Sequence, residues 1–266
     1  MPMVYASSPS RSFASSNADT SMDKDLIFLT HCENSELRKL CDILTHDKDG
    51  RIRLSESLTA SEVYLENYPE NMSALAPAIA DELLRFGSNT LVTAVRHGVP
   101  DRYETVVRRV CRQMNVRIGI YDDAVAMEHA LLESVCTSAI KSMSADQLRD
   151  LADKAGIHNK SLKKQALMAA ILATMRISPV AFRRVALSVT YEVLSYLMGR
   201  GVAVMGARAL QRSLGIWIGP LNWILLLIWA VWDCASPAYR VCIPAVIQIA
   251  IMRLTFCSGT EEGRNA

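Results

Sequence analysis

The first residues whose types and spacing suggest chemistry lie between Thr45 and Glu56. On the frame of an EF-hand calcium loop, Asp47 and Asp49 take positions 3 and 5, and Gly50 takes position 6. Thr45 at position 1 lacks the carboxylate of a calcium ligand, and an arginine at position 9 adds a positive charge. Because Ca²⁺ needs six to eight oxygen ligands, the segment predicts a polar turn with Gly50 at positive φ, and no bound metal.

A second group has the side chains that bind zinc: His31, Cys32, Cys41 and His46 lie within sixteen residues. Their separations match none of the tight spacings of structural zinc sites. Cys41 also belongs to an apolar helical stripe, where a buried thiol packs as a small hydrophobic group. The sequence has seven cysteines without a CxxC pair, which excludes a zinc ribbon and a small disulfide scaffold and is typical of a reducing compartment.

Motifs of enzymes are missing from the sequence. It contains no GxSxG, HExxH, Walker A or GxGxxG pattern, and its net charge of +2 gives no bulk field for nucleic acid. Adjacent carboxylates, Asp122 and Asp123, stand where a helix begins, as capping residues do. We therefore expect a protein without catalytic residues, cofactor, small-molecule substrate or nucleic-acid partner.

A basic face accompanies one predicted helix. Six arginines and two acids lie between residues 96 and 117, and apolar residues recur at helical spacing over 103–114. Asp101 and Glu104 predict a start like a capping box. Two interpretations stay open: a solvated face, or a patch for anionic lipid headgroups or for the acidic side chains of a partner. The arginines assigned to this basic face are Arg102, Arg108, Arg109 and Arg112.

The most informative segment is an uncharged run of twenty residues between Arg212 and Asp233. Within it, the stretch 214–232 would span roughly 28 Å as a helix, which matches a bilayer core of about 30 Å. Arg208 and Arg212 precede the run and would hold that end in the cytoplasm. We expect its aromatic residues, which are all the tryptophans of the chain, to contact a membrane or a partner: Trp217, Trp223, Trp229 and Trp232.

The apolar segment that follows is shorter. Val241 to Met252 has twelve residues, the length of a core or re-entrant helix. Pro237 and Pro244 are expected to end helices and to shape the turn between the two apolar segments, with Arg240 at that turn. The sequence leaves open a hairpin inserted in or docked on a membrane, and a hairpin buried among amphipathic helices. The residues of this segment assigned to membrane or partner contact are Tyr239, Arg240, Pro244 and Gln248.

Helix boundaries are predicted by residues that cap helices. Asn34 or Ser35 is expected to be the N-cap residue of one helix, and Ser144 with Gln147 predicts a capping box for another, which Gly156 would close.

The helical periodicity continues to about residue 177, and strand-type alternation of useful length is missing. The Ser-rich leader is predicted to be disordered, with a secretion or targeting segment as the alternative. The predicted regions are the leader at 1–22, a soluble helical domain at 23–176, an apolar hairpin region at 180–257 and a tail at 258–266.

Several spaced motifs resemble the YaaW family of bacterial proteins. The stretches GPLNW and SPAYRVCIPAVIQIAIMR, within residues 216–253, are similar to its C-terminal signature. LTHDKDG near the front and ELLRFGSNT at 82–90 resemble its N-terminal and middle parts. The resemblance covers about residues 23–253 and implies an all-helical fold and a bacterial origin. The grouping of this family with ubiquinol–cytochrome c chaperone-like proteins implies a protein-binding role, and it brings no catalytic residue.

The sequence therefore predicts an all-α protein in which a soluble multi-helix domain packs on, or precedes, a Gly-rich apolar helical hairpin. The expected function is that of a non-enzymatic, membrane-associated bacterial accessory protein, which binds lipid or protein partners on the cytoplasmic side of the inner membrane. An assembly chaperone for a membrane complex is one alternative. A secreted effector or pore-forming protein that inserts its hairpin is the other. We expect that deleting residues 214–253 releases the protein from membranes without unfolding the other helices.

Overall fold

The structure is a computed structural model that describes residues 22–47, 49–53, 56–88, 101–158, 162–197 and 238–262; the side chains of residues 196 and 257–262 are not described. Within these ranges the chain forms nine α-helices, a short 3-10 helix at Ile27–His31 and an isolated β-bridge between His46 and Ile52. The prediction of an all-helical fold is confirmed. The helices are α1 (Asn34–Thr45), α2 (Glu62–Asn67), α3 (Met72–Gly87), α4 (Tyr103–Gln113), α5 (Ala124–Ser142), α6 (Ala145–Lys154), α7 (Lys164–Ile177), α8 (Pro179–Leu197) and α9 (Tyr239–Glu262).

Three helix boundaries follow from local interactions that the sequence predicts. The Ser144 hydroxyl accepts a hydrogen bond from the N–H of Gln147 (3.3 Å), and the Gln147 side chain accepts one from the N–H of Ser144 (2.9 Å), which confirms the capping box of α6. Asp123 caps α5 by accepting a hydrogen bond from the N–H of Ala126 (2.8 Å). Gly156 follows α6 with a φ of 83°, a left-handed conformation that favours glycine.

The predicted start of α1 is wrong by one position. The N-cap residue is Glu33, without a side-chain capping bond, and Asn34 is the first helical residue. The Asn34 amide bonds elsewhere: its Nδ2 donates to the carbonyl of Glu70 (2.6 Å), and its Oδ1 accepts from the N–H of Met72 (3.2 Å). The side chain therefore ties α1 to the start of α3, a tertiary contact that local pattern does not contain.

The predicted cap of α4 is also wrong. Arg102, not Asp101, is the N-cap residue, and it makes no side-chain capping bond. The Asp101 carboxylate is 5% exposed and lies 2.7 Å from the Arg109 guanidinium. A buried carboxylate gains more from a charged, hydrogen-bonded partner than from a backbone N–H, because charge-assisted hydrogen bonds are the stronger ones.

Helix α9 is the central helix of the core. Every residue from Val241 to Met252 is buried, as expected of a helix that is apolar on all sides. It packs against α1, α3, α4, α5 and α8, and one hydrophobic cluster contains buried residues from helices before and after residue 178. Within the described ranges, the apolar segment at 241–252 is thus a core helix shared with the region before residue 177.

The composition of α9 is also that of a membrane span. In the part of the chain that the structure describes, Tyr239–Phe256 is the one helix long and apolar enough to cross a bilayer, and 67% of it is buried inside the protein. Helices α7 and α8 reach that length and composition only when taken together, and their axes are bent by 120° at residue 178. Because core helices of soluble proteins have the same composition, this stretch is weak evidence of a membrane. The uncharged run between Arg212 and Asp233, with its four tryptophans, lies outside the described residues.

The expectation that Pro244 ends a helix is wrong. Pro244 lies inside α9, five residues after Tyr239. Its missing N–H would have bonded to the carbonyl of Arg240, and Arg240 is an exposed residue of the first turn, where water can hydrate that carbonyl. A proline so close to the start of a helix costs one hydrogen bond and leaves the rest of the helix intact. Pro237 lies outside the described residues.

Candidate functional site

The two helices that flank residues 198–237 meet at Glu36, in the first turn of α1. Glu36 accepts a hydrogen bond from the Tyr191 hydroxyl of α8 (3.2 Å) and one from the Gln248 amide of α9 (2.8 Å). Lys39 Nζ lies 2.6 Å from the same carboxylate. We call these four residues the upper junction. Gln248 is 1% exposed, so its amide holds α9 to α1 and faces no surface that lipid or a partner contacts.

A second group of polar side chains holds α9 further along its length. Arg253 Nε lies 2.7 Å from Glu128 Oε2 of α5, and the Tyr103 hydroxyl of α4 donates to Glu128 Oε1 (2.8 Å). The same guanidinium donates to the carbonyl of Asp25 (2.6 Å) and lies 4.1 Å from the ring centre of Phe28. Arg253, Glu128 and Tyr103 form what we call the lower junction. It ties the N-terminal segment, α4 and α5 to the C-terminal helix.

The electrostatics of the lower junction reflect its burial. Burial raises the pKa of Glu128, while the hydrogen bonds from Arg253 and Tyr103 act in the opposite direction. Burial and the adjacent Glu128 raise the pKa of Tyr103 well above its usual range, so the hydroxyl remains a donor. Three N–H or O–H groups converge on the Glu128 carboxylate, which fits an ionised carboxylate paired with a charged guanidinium.

The two junctions fix the directions of α8 and α9. Near the start of α8, the Phe182 ring stacks on His129, the residue after Glu128 of the lower junction, with centroids 4.2 Å apart. Nine residues later, Tyr191 belongs to the upper junction. Helix α9 passes the junctions in the reverse order, Gln248 at the upper one and Arg253 at the lower one. The two helices therefore run antiparallel, and residues 197 and 239 lie at the same end of the bundle.

The end of α1 lies at this same end. The Phe256 ring of α9 lies 5.9 Å from the Phe28 ring, which precedes α1, while Gln248 bonds to Glu36. Helix α9 therefore runs antiparallel to α1, and the start of α9 lies near the end of α1. Because both helices rise about 1.5 Å per residue, nine residues along each place Tyr239 beside the last residue of α1. We call this end of the bundle, with the turn at 46–53, the base.

The turn at the base is the segment that resembles a calcium loop. Asp47 Oδ1 accepts hydrogen bonds from the N–H groups of Asp49 and Arg51 (both 2.9 Å), and Gly50 has a φ of 78°. The predicted polar turn with Gly50 at positive φ is confirmed. These backbone hydrogen bonds lower the pKa of Asp47. Ile52 is 58% exposed, so an apolar side chain projects from the turn.

The side chains of zinc-binding type near the front of the chain have other contacts in the structure. Over the residues that the structure describes, no group of three or more His, Cys, Asp and Glu side chains is placed to hold a metal ion. The Cys32 thiol donates to the carbonyl of Phe28 (3.5 Å), and Cys41 is buried in the core. Burial raises the pKa of Cys41 to about 12, which disfavours the thiolate that binds zinc.

The basic face of α4 divides into two kinds of arginine. Arg108 donates to the carbonyls of Gly119 (3.0 Å) and Asp122 (2.7 Å), and Arg109 pairs with Asp101 and donates to the carbonyl of Gly87 (2.7 Å). These two side chains hold the loop before α5 and the end of α3. The two exposed members of the face are Arg102 and Arg112.

The four residues of α9 that the sequence assigns to membrane or partner contact differ in their exposure. Tyr239 is half-buried and Arg240 is exposed, and both lie in the first turn of α9, at the base. Pro244 and Gln248 are buried in the core. The four tryptophans lie outside the described residues.

Sequence reasoning missed the lower junction. Glu128 and Arg253 are 125 residues apart, and no local pattern relates them. The available signal was a lone acid within an apolar stretch of α5, next to Met127 and three residues before Leu131. Because a buried charge requires a partner, such an acid predicts a cation from elsewhere in the chain, although not which one.

Comparison with known proteins finds bacterial relatives. The family model described as "Domain of unknown function (DUF3944)" matches residues 22–54. A UPF0174 protein of Helicobacter pylori strain J99 is 31% identical over 244 residues, which are 91% of this chain and 96% of the relative. The UPF0174 protein YaaW of Escherichia coli K12 is 27% identical over 234 residues, 87% of this chain and 94% of the relative. No solved structure matches the chain. The similarity extends along almost the whole chain.

Proposed function

The chain belongs to the UPF0174 family of bacterial proteins, and we propose that it is a non-enzymatic accessory protein held at the cytoplasmic face of the inner membrane, where it binds lipid or protein partners. One observation carries the proposal. Helices α8 and α9 run antiparallel in a single core, so the last residue of α8 and the first residue of α9 lie at the same end of the bundle. The intervening residues include the twenty uncharged ones.

The positions of these two ends limit how the uncharged run meets a bilayer. A single crossing by 214–232 would carry the chain about 28 Å to the other side, away from a bundle to which it must return at Tyr239. Two arms of about ten residues each would reach roughly 15 Å, about half of a bilayer core. We therefore propose that the run enters and leaves one face of the membrane. Arg208 and Arg212, just before the run, favour the cytoplasmic face.

The test is fractionation of bacterial cells that produce the full chain with a small tag at either end. We expect the protein in the membrane fraction after a high-salt wash, with both tags accessible only from the cytoplasm. The variant Leu225→Arg/Leu227→Arg should move the protein to the soluble fraction, because each arginine costs roughly 2.5–3.5 kcal/mol at a helix centre on insertion scales.

The matched control places the same charges on exposed apolar residues of the described part. Ile120 and Tyr121 are 85% and 98% exposed in the loop before α5. The variant Ile120→Arg/Tyr121→Arg should keep the wild-type distribution. Wild-type protein in the soluble fraction, or tags on opposite sides of the membrane, would contradict the proposal.

A second candidate function is an assembly chaperone for a membrane complex, which requires an exposed surface for apolar segments. A cleft of about 910 Å³ between the turn at 57–61 and α3 favours it. Its lining combines apolar side chains, among them Ala78 and the 50% exposed Ile27, with charged ones such as Asp81, Glu82 and Arg85, and Leu58 and Leu84 at its floor are buried. Replacing Ile27 with Asp should abolish assembly of the client complex while leaving the chain in the membrane fraction. Normal assembly with that variant would exclude the chaperone role.

A further inference from the structure

Cations without acids occupy a long stretch of α7 and α8. From residue 154 to residue 191 the chain has no aspartate or glutamate, although charged residues are 21% of the whole sequence. Seven cations lie in the same stretch, so its charge is of one sign. They are Lys154, Lys160, Lys163, Lys164, Arg176, Arg183 and Arg184.

Helix α7 is apolar on its outer face as well as on its inner face. Leu167, Ile171 and Met175 are buried against the bundle. The opposite face is exposed and consists of small or apolar side chains at spacings of three and four residues, which share one side of a helix. We call this face the α7 stripe; its members are Ala166, Ala169, Ala173 and Ile177. Val180 is exposed just beyond the stripe, at the start of α8, whose axis is bent by 120° from that of α7.

The largest exposed apolar side chains of this region lie where α7 ends and α8 begins. Ile177 is 82% exposed and Val180 is 50% exposed. Lys163 and Lys164 are exposed at one end of the stripe, and Arg184 is exposed one turn beyond Val180 at the other. An exposed apolar stripe with lysines at one end and an arginine on the adjoining helix is the pattern of a surface that lies in the interface of an anionic membrane.

The acids that the neighbouring helices contribute are Asp146, Asp150 and Asp153 of α6, Glu133 of α5 and Glu192 within α8. Glu133 of α5 lies 3.3 Å from Arg176, and both are exposed enough that the pair is weak. Asp153 at the end of α6 lies 3.8 Å from His158. Glu192 of α8 directly follows the acid-free stretch. Burial raises the pKa of its carboxyl, and the charge of Lys154 lowers it. None of these carboxylates is paired with Lys163, Lys164 or Arg184 among the ion pairs of the described residues.

We infer that the α7 stripe lies on an anionic lipid surface, with Ile177 and Val180 at the level of the acyl chains and the flanking cations on phosphate groups. The inference rests on the proposed membrane association and adds a second contact to it. Small side chains on the convex surface of a helix form no pocket for a partner's anchoring residue, whereas a fluid interface adapts to them.

The base and the α7 stripe can reach one membrane together. Helix α8 has 19 residues, so the Ile177 end of the stripe lies roughly 28 Å from the base. Residues 233–238 link the uncharged run to α9 and extend at most about 20 Å. The bundle thus stays near the surface, and the inference places α8 along the membrane plane rather than upright on it.

The test is flotation of the purified full chain with vesicles of phosphatidylcholine, and with vesicles in which a third of the lipid is phosphatidylglycerol. We expect the anionic vesicles to bind more protein, and this preference to vanish at 1 M salt, where the Debye length is about 3 Å. In Lys163→Gln/Lys164→Gln/Arg184→Gln the preference should fall on the order of a hundredfold, since each cation near an anionic surface contributes about fivefold.

The matched control removes three exposed arginines from elsewhere: Arg102→Gln/Arg112→Gln/Arg117→Gln. It should keep most of the preference. Ile177→Ser/Val180→Ser should weaken binding to both kinds of vesicle, and unchanged circular dichroism would show that each variant is folded. An equal loss in the control, or an unchanged preference in the α7 variant, would overturn the inference. Equal wild-type binding to both vesicles would overturn it while the proposed function stands, and binding to neither would overturn both.

Discussion

Replacing Arg253 with Met tests whether the C-terminal helix is fastened to the helical domain as the structure shows. The substitution leaves the Glu128 carboxylate, whose side chain is 3% exposed, with the Tyr103 hydroxyl and without its cation. Removing one partner of a buried ion pair costs about 3–5 kcal/mol. Because the Arg253 side chain is 14% exposed and water can approach the site, we expect the lower end, about 3 kcal/mol of the free energy of unfolding.

The measurement is urea denaturation of the full chain, followed by circular dichroism, with the thermal midpoint as a second readout. A loss of about 3 kcal/mol lowers the Tm by roughly 6–12 °C for a chain of this size. The double variant Glu128→Leu/Arg253→Met removes both charges and should recover much of the loss, because the cost lies in the unpaired carboxylate.

The control for this prediction is an exposed ion pair. Arg176→Met breaks the ion pair with Glu133, in which the two side chains are 68% and 38% exposed. This variant should lose less than about 1 kcal/mol of the free energy of unfolding. A loss below about 1 kcal/mol for Arg253→Met, or no recovery in the double variant, would refute the assignment of a buried charged pair.

Three other outcomes follow from the described contacts. In contrast to the expectation from the sequence, deleting residues 214–253 should abolish cooperative unfolding, because 241–252 is the centre of the core. Deleting 214–236 should preserve cooperative unfolding, and a folded 214–253 deletion would contradict this core. Millimolar calcium should leave the Tm unchanged, because Asp47 Oδ1 already accepts two backbone hydrogen bonds; a rise equivalent to about 1 kcal/mol would show a site. The five described cysteines should react slowly with a thiol reagent at pH 8 in the native protein, because burial raises their pKa values, that of Cys41 to about 12. All seven should react in urea. More than two fast-reacting thiols in the native protein would contradict this burial.

Features that depend on neighbouring residues in the chain could be predicted. The capping box of Ser144 and Gln147, the Asp123 cap and the left-handed Gly156 each involve residues at most a few positions apart. The polar turn at Gly50 belongs to the same class. The family was also readable, because its motifs are continuous stretches of sequence.

Features that join distant residues could not be predicted. The sequence assigns Asp101 and Asn34 as caps because a local pattern contains only interactions between near neighbours in the chain. In the structure, Asp101 pairs with Arg109, and Asn34 bonds to the backbone at the start of α3. Two arginines of one basic face, Arg108 and Arg109, became internal hydrogen-bond donors, while their neighbours stayed exposed. The candidate site depends on contacts of this kind, since Glu36 places both flanking helices at one end of the bundle.

The sequence by itself determined that residues 241–252 are withdrawn from water, and only the tertiary structure decided into what. An apolar helix gains about the same transfer free energy from a protein core as from lipid, so hydropathy does not separate the two. The described residues assign this helix to the core, where buried side chains of α1, α3, α4, α5 and α8 surround it. Tertiary contacts decided the matter because Gln248 and Arg253 of this helix find their hydrogen-bond partners, Glu36 and Glu128, on α1 and α5.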